Sequence, residues 1–559
     1  PQVPDWRWLL DRDDSPWYPS LTLWRQSGHD QWPALLARLG QHLQGLLQDK
    51  GGEAAAEQAT EAGRAELEQR QDAAAERQFW RAVRLCPWYG RAMSGLAVLA
   101  WKQNRPAAAL LFGARACRLD PGNPEVWSNH AAYLKALQRY DAALPCAQRA
   151  LTMAPDSPVA LSNYSNLLGK LERWQEARAP AERALLLAPQ VADFHYNAGI
   201  VFKELGEFER ALKHLRQAQS LAGEHVKARL HEAMILLLQG DFSAGWPAYE
   251  SRWQQPDCKE KHSFACPLWR GEDLAGKTIL LYSEQGLGDS FQFMRYAPLV
   301  AERAGRTLLV VQPEVEALAR RMPGRHEVFA SGAPLPDYDF HCPLLSLPQA
   351  FATEVATVPA RIPYLQVDGE RQAYWRQALA TRLPAGKKRI GLVWAGRPTH
   401  GNDHNRSLRL ANFAALLADQ HFAWVAVQKG PAIAEAAALP DPARLTVLDG
   451  ELRDFDDTAA VLTQLDVLVT VDTSVAHLAG ALGVPTLILL PHIPDWRWMW
   501  QRSDSPWYPS VTLLRQNRRG DWSSVISRLH KTLSAQAGMA GETTAAARRK
   551  PAKKKGKGK

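Results

Sequence analysis

The sequence predicts two kinds of structure in one chain: an array of repeated helix pairs, then an α/β unit of two lobes. The first prediction rests on a 34-residue period that runs from about residue 64 to residue 255. The second rests on two series of short apolar runs that alternate with helical stretches after residue 277. A length of 559 residues accommodates several domains of ordinary size.

The 34-residue period is visible in several registers at once. Proline recurs at this interval, at Pro87, Pro121, Pro155 and Pro189. Alanine recurs in two further registers, at Ala109, Ala143, Ala177 and Ala211 and at Ala116, Ala150, Ala184 and Ala218. Small residues let two helices approach closely, and proline ends the second helix of each pair. The period therefore predicts stacked helix pairs that each bury an apolar face against the next.

This pattern resembles the tetratricopeptide repeat over residues 64–255. The resemblance implies an α-solenoid whose concave surface binds a polypeptide partner, while a spacer or a dimerisation arm is the alternative interpretation. The unit after Ala218 carries Gly223 where proline is expected, and Trp246, Tyr249 and Trp253 follow it. We interpret this last unit as a closing repeat that docks on the next domain.

The α/β pattern after residue 277 comes in two series of predicted strands. The first series is 277–283, 307–312 and 339–341, and the second is 389–395, 422–428, 445–448, 467–471 and 486–490. Strands that alternate with helices predict parallel sheets covered on both faces. We therefore expect two Rossmann-like lobes, at 277–370 and 388–535, with a cleft between them.

One loop at the carboxyl end of a predicted strand is rich in glycine. Gly286, Gly288 and Asp289 directly follow the first strand, where glycine permits a close approach of the backbone. A dinucleotide-binding fingerprint would need a third glycine where Phe291 stands. This loop therefore disfavours an NAD-type site.

A second loop, at Asp472, Thr473 and Ser474, directly follows the strand that ends at residue 471. The helix that begins here presents unpaired amides and a partial positive charge, which suit a pyrophosphate. The alternative interpretation is that Asp472 or Thr473 is only a helix cap.

Both loops resemble signatures of one enzyme family. The segment 471–479 resembles the donor-binding signature of the heptosyltransferases, which have the GT-B fold, and 286–289 resembles their N-terminal signature. The segments 394–397, 405–407 and 494–498 are similar to bacterial proteins that fuse tetratricopeptide repeats to a heptosyltransferase-like, glycosyltransferase family 9-like domain. The repeats and the tryptophan-rich end depart from true heptosyltransferases, so the sugar stays open.

The resemblance implies a glycosyltransferase that is metal-independent and inverting, with a nucleotide-diphosphate sugar as co-substrate and no cofactor. A base must deprotonate the acceptor hydroxyl. The resemblance gives this role to Asp289, and Glu284 is the alternative carboxylate close by. The acceptor is expected to be a protein recruited by the repeats.

Several cations and dipoles are candidates for holding the leaving diphosphate. Arg406, Lys429 and the amides near Ser474 form this group. His477 is expected either to donate a hydrogen bond or to pack within its helix. Arg497 and the nearby tryptophans are expected to close over the ligand or to pack against the first lobe.

Two other functions remain open at this stage. One is a non-catalytic interaction scaffold with a degenerate GT-B domain, and the other is a transferase that modifies glycans or lipopolysaccharide. Two D-x-D pairs, 337/339 and 454/456, match the metal motif of another glycosyltransferase fold, and we attribute both to chance.

Charge and cysteine content argue against nucleic acid, zinc and secretion. The last twenty residues hold eight Lys or Arg and one Glu, so the rest of the +9 chain is nearly neutral and indicates no specific nucleic acid. The six cysteines lack CxxC spacing and no apolar run is long enough to span a membrane. We therefore expect a cytoplasmic protein; its oligomeric state stays open.

The two ends of the chain carry a duplicated segment. Residues 3–32 match residues 493–522 without a gap and are identical at 18 of 30 positions. We interpret residues 1–48 as a partial duplicate of the end of a glycosyltransferase domain. Residues 49–63 are predicted to be a linker, and residues 536–559 a disordered basic tail.

Overall fold

The computed structural model describes residues 23–26, 31–48, 50–255 and 264–536. The chain divides into two compact units, Pro1–Val201 and Phe202–Lys559. Within these described ranges no helix combines the length and the apolarity needed to cross a membrane. The predicted basic tail, from residue 537 on, and most of the N-terminal copy lie outside the described residues.

Thirteen consecutive helices are described before the first strand. They are α1 Trp32–Gln48, α2 Lys50–Glu68, α3 Asp72–Leu85, α4 Gly90–Lys102, α5 Pro106–Leu119, α6 Pro124–Ala136, α7 Tyr140–Met153, α8 Pro158–Lys170, α9 Trp174–Leu187, α10 Ala192–Glu204, α11 Phe208–Ala222, α12 Val226–Gln239 and α13 Phe242–Tyr249. Helices α2 to α13 alternate in sequence order as the first and second helices of six repeat units. The two helices pack together in the units α2/α3, α4/α5, α6/α7, α8/α9 and α12/α13, so the expectation of repeated helix pairs is confirmed.

The backbone itself shows the 34-residue period. The first helix of each pair is followed by a residue with positive φ, and these residues are Arg70, Asn104, Gln138, Glu172, Gly206 and Gly240. The left-handed conformation turns the chain sharply from one helix into the next, as it does at many helix ends. Only the last two positions are glycine, so four repeats hold a side chain in a conformation that glycine adopts more easily.

The periodic alanines and prolines do what their spacing predicts. The alanines of both registers are almost completely buried within the helix pairs. Pro121 follows the end of α5 at Leu119, and Pro155 follows the end of α7 at Met153. Helix-ending prolines and buried small residues therefore define the repeat.

The predicted linker differs from the structure. Residues 50–63 lie within α2, and they are helical because alanine, glutamate and glutamine are good helix formers. Ala56 and Ala59 are buried beside Ala82 of α3 and Cys86, which follows α3, and this adds tertiary packing to the local propensity. The first helix of the array thus begins at Lys50, before the predicted start at residue 64.

The second unit contains two separate parallel sheets. The strands are β1 Thr278–Tyr282, β2 Arg306–Val311, β3 Glu327–Ala330, β4 Phe340–Pro343, β5 Lys388–Val393, β6 Phe422–Ala426, β7 Leu445–Val447, β8 Val467–Val471, β9 Thr486–Leu490 and β10 Val511–Arg515. The first sheet has the order β3-β2-β1-β4, and the second has the order β10-β9-β8-β5-β6-β7. The expectation of two parallel-sheet series is confirmed.

Helices follow the strands of both sheets. They are α14 Leu287–Phe293, α15 Ala297–Ala301, α16 Pro313–Arg320, α17 Leu347–Ala350, α18 Gly369–Arg382, α19 Asp403–Arg406, α20 Ala414–Leu417, α21 Phe455–Leu462, α22 Ser474–Leu482 and α23 Trp522–Gln536. A 3₁₀ turn at Trp496–Trp498 lies between β9 and β10. Helices α1 and α23 begin at Trp32 and Trp522, so the 490-residue offset of the duplicated ends extends into equivalent helices.

Sequence reasoning missed the edge strands β3 and β10. Strand β3 is four residues long and partly exposed, so it lacks the continuous apolar run of a buried parallel strand. Strand β10 follows the tryptophan-rich segment, whose aromatic residues obscure a short strand that pairs in register with β9. Both are edge strands, which carry the weakest sequence signal.

The closing helices belong to the α/β unit. Helices α11 to α13 lie within Phe202–Lys559. The Trp246 indole of α13 donates to the carbonyl of Thr353 at 2.9 Å, and Arg519 pairs with Glu204. The repeat that was expected to dock on the next domain is thus built into it.

Glycine at a left-handed turn should stabilise the repeat array. We expect Gln138→Gly to raise stability by up to about 1 kcal/mol, because Gln138 has φ 59° and glycine has no Cβ to resist that conformation. The matched change Gln148→Gly inside α7 should lower stability by about 1 kcal/mol. Urea unfolding followed by circular dichroism measures both, and equal losses would refute the role of this turn.

Candidate functional site

The candidate site lies at the carboxyl ends of β1 and β8. In the first sheet the strand order reverses between β1 and β4, and in the second it reverses between β8 and β5. Such switch points open a crevice beyond the strand ends, where open parallel sheets bind ligands. The loop at Gly286–Asp289 leaves the first sheet there, and Asp472 leaves the second.

The two loops pack directly against each other. A Cβ on Gly288 would stand 2.9 Å from Cδ2 of His477 and 3.5 Å from Cα of Ser474. Only a glycine lets α14 and α22 come this close, since real Cβ contacts are longer. The sequence predicts that this glycine lets the backbone approach a ligand, and in the structure it allows the contact between the two loops.

Asp289 lies at the centre of this contact. Its Oδ2 accepts a hydrogen bond from the Gly286 amide at 3.0 Å, and its Oδ1 accepts one from the Arg497 guanidinium. Arg497 also donates to Asp495 Oδ1 at 2.9 Å. One guanidinium therefore bridges a carboxylate of the first sheet's loop and a carboxylate that follows β9.

Arg497 is held in place by its surroundings. It is only 9% exposed, and its guanidinium lies 4.3 Å from the ring centroid of Trp496. Burial alone would lower the pKa of Arg497, but the charges of Asp289 and Asp495 raise this pKa well above its ordinary value. The guanidinium is a fixed positive charge at the meeting point of the two loops.

Asp472 has an unusual protonation equilibrium. Desolvation and the negative charge of Asp495 raise its pKa to about 6, against the opposing effect of Arg406. Burial also acts on Asp495, but Arg497 overcomes it and holds the pKa of Asp495 below its ordinary value. Asp472 is thus the carboxyl group of this site that takes up a proton near neutral pH.

His477 is a neutral side chain in this structure. Desolvation and the charge of Arg497 lower its pKa to about 3. Its Nδ1 lies 3.0 Å from the Tyr508 hydroxyl, and its ring stacks on Trp498 at 4.9 Å. The other ring nitrogen, Nε2, lies on the side of the Gly288 loop.

The start of α22 offers backbone amides beside this cluster. Within the described chain, the Thr473 side chain makes no capping hydrogen bond to the helix, and its Oγ1 lies 3.3 Å from Oγ1 of Thr470. Ser474 is the first residue of the helix. The amides of a first helical turn have no partner within the helix.

Two predicted cations fall in different places. Arg406 lies close enough to Asp472 and His477 to affect the pKa of each. The ammonium of Lys429 donates to the carbonyls of Asp449, at 3.1 Å, and Leu452. The structure thus brings Arg406 to the carboxylates and engages Lys429 with the loop that precedes α21.

Glu284 is a buried structural ion pair. It is 3% exposed, and its two oxygens accept from Nε and Nη2 of Arg252 at 3.0 and 2.8 Å. The Leu345 amide donates to it as well, at 3.2 Å. Glu284 therefore joins the ends of β1 and β4 to the closing repeat, which does not suit a carboxylate that must accept a substrate proton.

The two D-x-D pairs are occupied by other contacts. Asp454 accepts from Arg371, Asp456 pairs with Arg321, and Asp339 accepts from the Thr278 amide at 2.8 Å. These contacts give three of the four carboxylates a structural role, and the fourth, Asp337, is exposed.

Sequence reasoning missed Asp495 and Arg252, and it did not pair Trp498 and Tyr508 with His477. Nothing in the sequence shows which carboxylates share Arg497 or which hydroxyl meets His477. One signal was available: the N-terminal copy retains the residues of this segment, as Asp5, Arg7, Trp8, Trp17 and Tyr18 match Asp495, Arg497, Trp498, Trp507 and Tyr508.

The first unit carries a row of polar side chains across successive first helices. Asn163 Nδ2 lies 3.5 Å from Ser128 Oγ, Asn197 Nδ2 donates to Ser162 Oγ at 2.9 Å, and Asn166 donates to Asn197 at 3.2 Å. A small recess beside this row is lined by Ser128, Lys135, Asn163 and several alanines. Amide and hydroxyl groups of this kind can pair with a peptide backbone.

Comparison with known families identifies the repeats. Family models of the tetratricopeptide repeat match residues 60–124, 124–157 and 196–257. The chain is 26% identical to Protein FlbA of Caulobacter vibrioides over 366 residues, or 61% of each chain. The chain therefore contains tetratricopeptide repeats, and the match spans less than two thirds of FlbA.

Several solved structures are similar to part of this chain. YrrB, described as a TPR protein with an unusual peptide-binding site, is 21% identical, with 31% of this chain and 89% of YrrB covered and a TM-score of 0.27. PilF of Pseudomonas aeruginosa is 18% identical, with 38% and 96% covered and a TM-score of 0.33. The type IV pilus biogenesis factor PilW is 18% identical, with 37% and 95% covered and a TM-score of 0.34.

Neutralising Asp472 should stabilise the protein in a pH-dependent way. A folded-state pKa of about 6 exceeds the ordinary 3.8, so wild type gains stability from this group at low pH and loses it as pH rises through 6. We expect Asp472→Asn to raise stability by about 3 kcal/mol at pH 8 and by roughly half of that at pH 5. Thermal unfolding at both pH values measures this.

Asp337→Asn is the matched control, because Asp337 is exposed. It should change stability little at either pH. A loss of stability in Asp472→Asn at pH 8 would show that the ionised carboxylate is favoured in the folded protein, contrary to the raised pKa.

Removing the charge of Glu284 should leave Arg252 as a buried cation short of one partner. We expect Glu284→Gln to cost about 3 kcal/mol, and the double change with Arg252→Met to recover most of that loss. Glu327→Gln, at the exposed pair with Arg306, should cost less than about 1 kcal/mol. If Glu284→Gln folds with full stability and loses turnover, Glu284 is catalytic and the structural assignment is wrong.

Proposed function

We propose that the second unit is a GT-B glycosyltransferase, metal-independent and inverting, that moves a sugar from a nucleotide diphosphate to an acceptor hydroxyl. The observation that carries this proposal is the contact of the Gly286–Asp289 loop with the start of α22, across two parallel sheets. A base on one sheet and a phosphate-binding helix start on the other are the two groups that such a transfer needs.

Asp289 is the proposed base. Its two oxygens receive one hydrogen bond each, from Gly286 and Arg497, and an ionised carboxylate has about four acceptor positions. Lone pairs therefore remain for the proton of the acceptor hydroxyl. The two bonds fix the direction of the carboxylate, which lowers the entropy that the reaction must lose.

The start of α22 is the proposed diphosphate site. Its first-turn amides, the helix dipole and Arg406 supply positive potential. Neutral His477 adds Nε2 as a hydrogen-bonding group on the same side. Asp472 opposes this potential when ionised, so we expect donor affinity to improve as the pH falls through about 6.

The proposed acceptor is a protein that the repeats recruit. The polar row of the first unit, at Ser128, Asn163 and Asn197, supports this part of the proposal, because it can pair with an extended backbone. A transferase for glycan or lipopolysaccharide would instead modify its acceptor without any protein present. A panel of co-expressed native proteins analysed by mass spectrometry separates these two acceptors.

Donor binding tests the enzymatic proposal first. UDP-, ADP-, GDP- and CMP-sugars should be compared by thermal shift, since a ligand stabilises a protein only by binding its native state. We expect one nucleotide class to raise the melting temperature. If none does, the alternative of an interaction scaffold with a degenerate α/β unit is favoured.

Asp289→Asn should lower turnover by about 10² to 10⁴-fold, which is the usual contribution of a positioned general base. Donor affinity should change only a few-fold, because the diphosphate is held by the opposite loop. Asp339→Asn is the control, since this carboxylate lies at the amino end of β1 and bonds the Thr278 amide. Full turnover in Asp289→Asn would refute the assignment of the base.

A further inference from the structure

The loop that carries Arg497 and Trp498 contains two residues in a strained backbone conformation. Met499 has φ 56° and ψ 173°, a combination that glycine alone adopts easily, and Gln501 has φ 54°. Such a backbone persists only where the surroundings over-determine it, and these places cluster at functional sites. Trp500 stands between the two strained residues.

The last two repeats supply part of the contacts that hold this loop, beside those from Arg515 and His492 of the α/β unit. The Trp500 amide donates to the carbonyl of Leu238 at 2.7 Å, and the Trp500 ring packs edge-on against Phe208 with ring centroids 5.0 Å apart. Leu238 lies in the last turn of α12, where carbonyls have no partner within the helix. The end of one repeat helix is thus completed by a hydrogen bond from the site loop.

The residues on either side of Trp500 contact the last helix pair, α12 and α13. A Cβ on Gly240, which ends α12, would stand 2.8 Å from Cε of Met499. On the other side, Trp496 packs against Trp246 and Tyr249 of α13, each with ring centroids 5.5 Å apart. Helices α11, α12 and α13 therefore each contact the segment 496–500.

The contacts of Trp500 and Trp496 with the repeats set the orientation of the Arg497 and Trp498 side chains. Arg497 points to Asp289, and Trp498 stacks on His477, although the two residues are adjacent. A relaxed backbone at Met499 would rotate the 3₁₀ turn and move both side chains together. The contacts at Trp500 oppose that relaxation.

We propose that Phe208 of α11 and Leu238 of α12, in the last two repeats, are positioning residues of the site, acting through Trp500 on Arg497 and Trp498. These two repeats then have a part in donor binding that is separate from any partner binding by the earlier repeats. This inference concerns the geometry of the loop, so it can be tested even if the proposed transfer reaction is wrong.

The test compares Phe208→Ala with Phe79→Ala in the full chain. Both remove a buried phenylalanine from a repeat, but Phe79 lies in the core of the first unit. Hydrogen exchange read by mass spectrometry should show at least about tenfold faster exchange at residues 496–501 in Phe208→Ala, with β8 and β9 still protected. Phe79→Ala should leave residues 496–501 unchanged.

The kinetic readout is the Michaelis constant for the nucleotide sugar that the thermal-shift panel identifies, measured as donor hydrolysis without a protein acceptor. Phe208→Ala should raise the Michaelis constant by about tenfold or more. Phe208→Leu should keep the Michaelis constant close to that of wild type, since leucine refills the space. Phe79→Ala should not change it. If no nucleotide sugar binds wild type, the proposed function fails while the exchange measurement still decides this inference.

A double-mutant cycle separates a local effect from a general loss of packing. Trp500→Leu keeps the amide bond to Leu238 but removes the ring, so its effect on exchange should not add to that of Phe208→Ala. Additive effects, uniform acceleration across β8 and β9, or unchanged exchange at 496–501 would each overturn the proposal.

Discussion

The contact between Gly288 and the first turn of α22 is the constraint on which the site depends. Because Gly288 has no Cβ, Ser474 and His477 come within ordinary contact of the loop after β1. This approach brings Asp289 to Arg497, and hence to Asp495 and the end of β9. A Cβ at position 288 would stand 2.9 Å from the His477 ring, so either this ring or the loop would have to shift.

The charges at this contact couple the protonation of Asp472 to the other charged groups of the site. Asp289, Asp495 and Asp472 lie near two cations, Arg497 and Arg406, and Arg406 also pairs with Asp403 at 3.5 Å, so the carboxyl groups outnumber the cations when all are ionised. Asp472 relieves that excess, because desolvation and Asp495 raise its pKa to about 6. A ligand with further negative charge favours the protonated form of Asp472, so the binding of an anion and the uptake of a proton are linked.

Much of the fold follows from the sequence because it depends on period and local chemistry. The 34-residue spacing predicts the helix pairs, and the buried runs predict eight of the ten strands. Gly286, Asp289 and Ser474 were predicted because each closely follows a strand end, and His477 lies one turn further along α22. The partners Asp495 and Arg252, and the contact of Tyr508 with His477, were not predicted, since they come from distant segments and only the packed structure shows which groups meet. Glu284 illustrates the same limit: its position beside the glycine loop suits a base, yet Arg252 occupies it.

The boundary between repeat and α/β unit has a physical reason that sequence periodicity conceals. Period assigns α11 and α12 to the array, because their alanines and turn glycines keep the 34-residue register. Packing assigns them to the second unit, because Trp246, Phe208 and the end of α12 contact the loop after β9. A strained loop persists only beside rigid neighbours. The helices that pack against it therefore open by local unfolding less readily than free repeats would. Helices α11 to α13 therefore keep the repeat period in their sequence but pack as part of the candidate site.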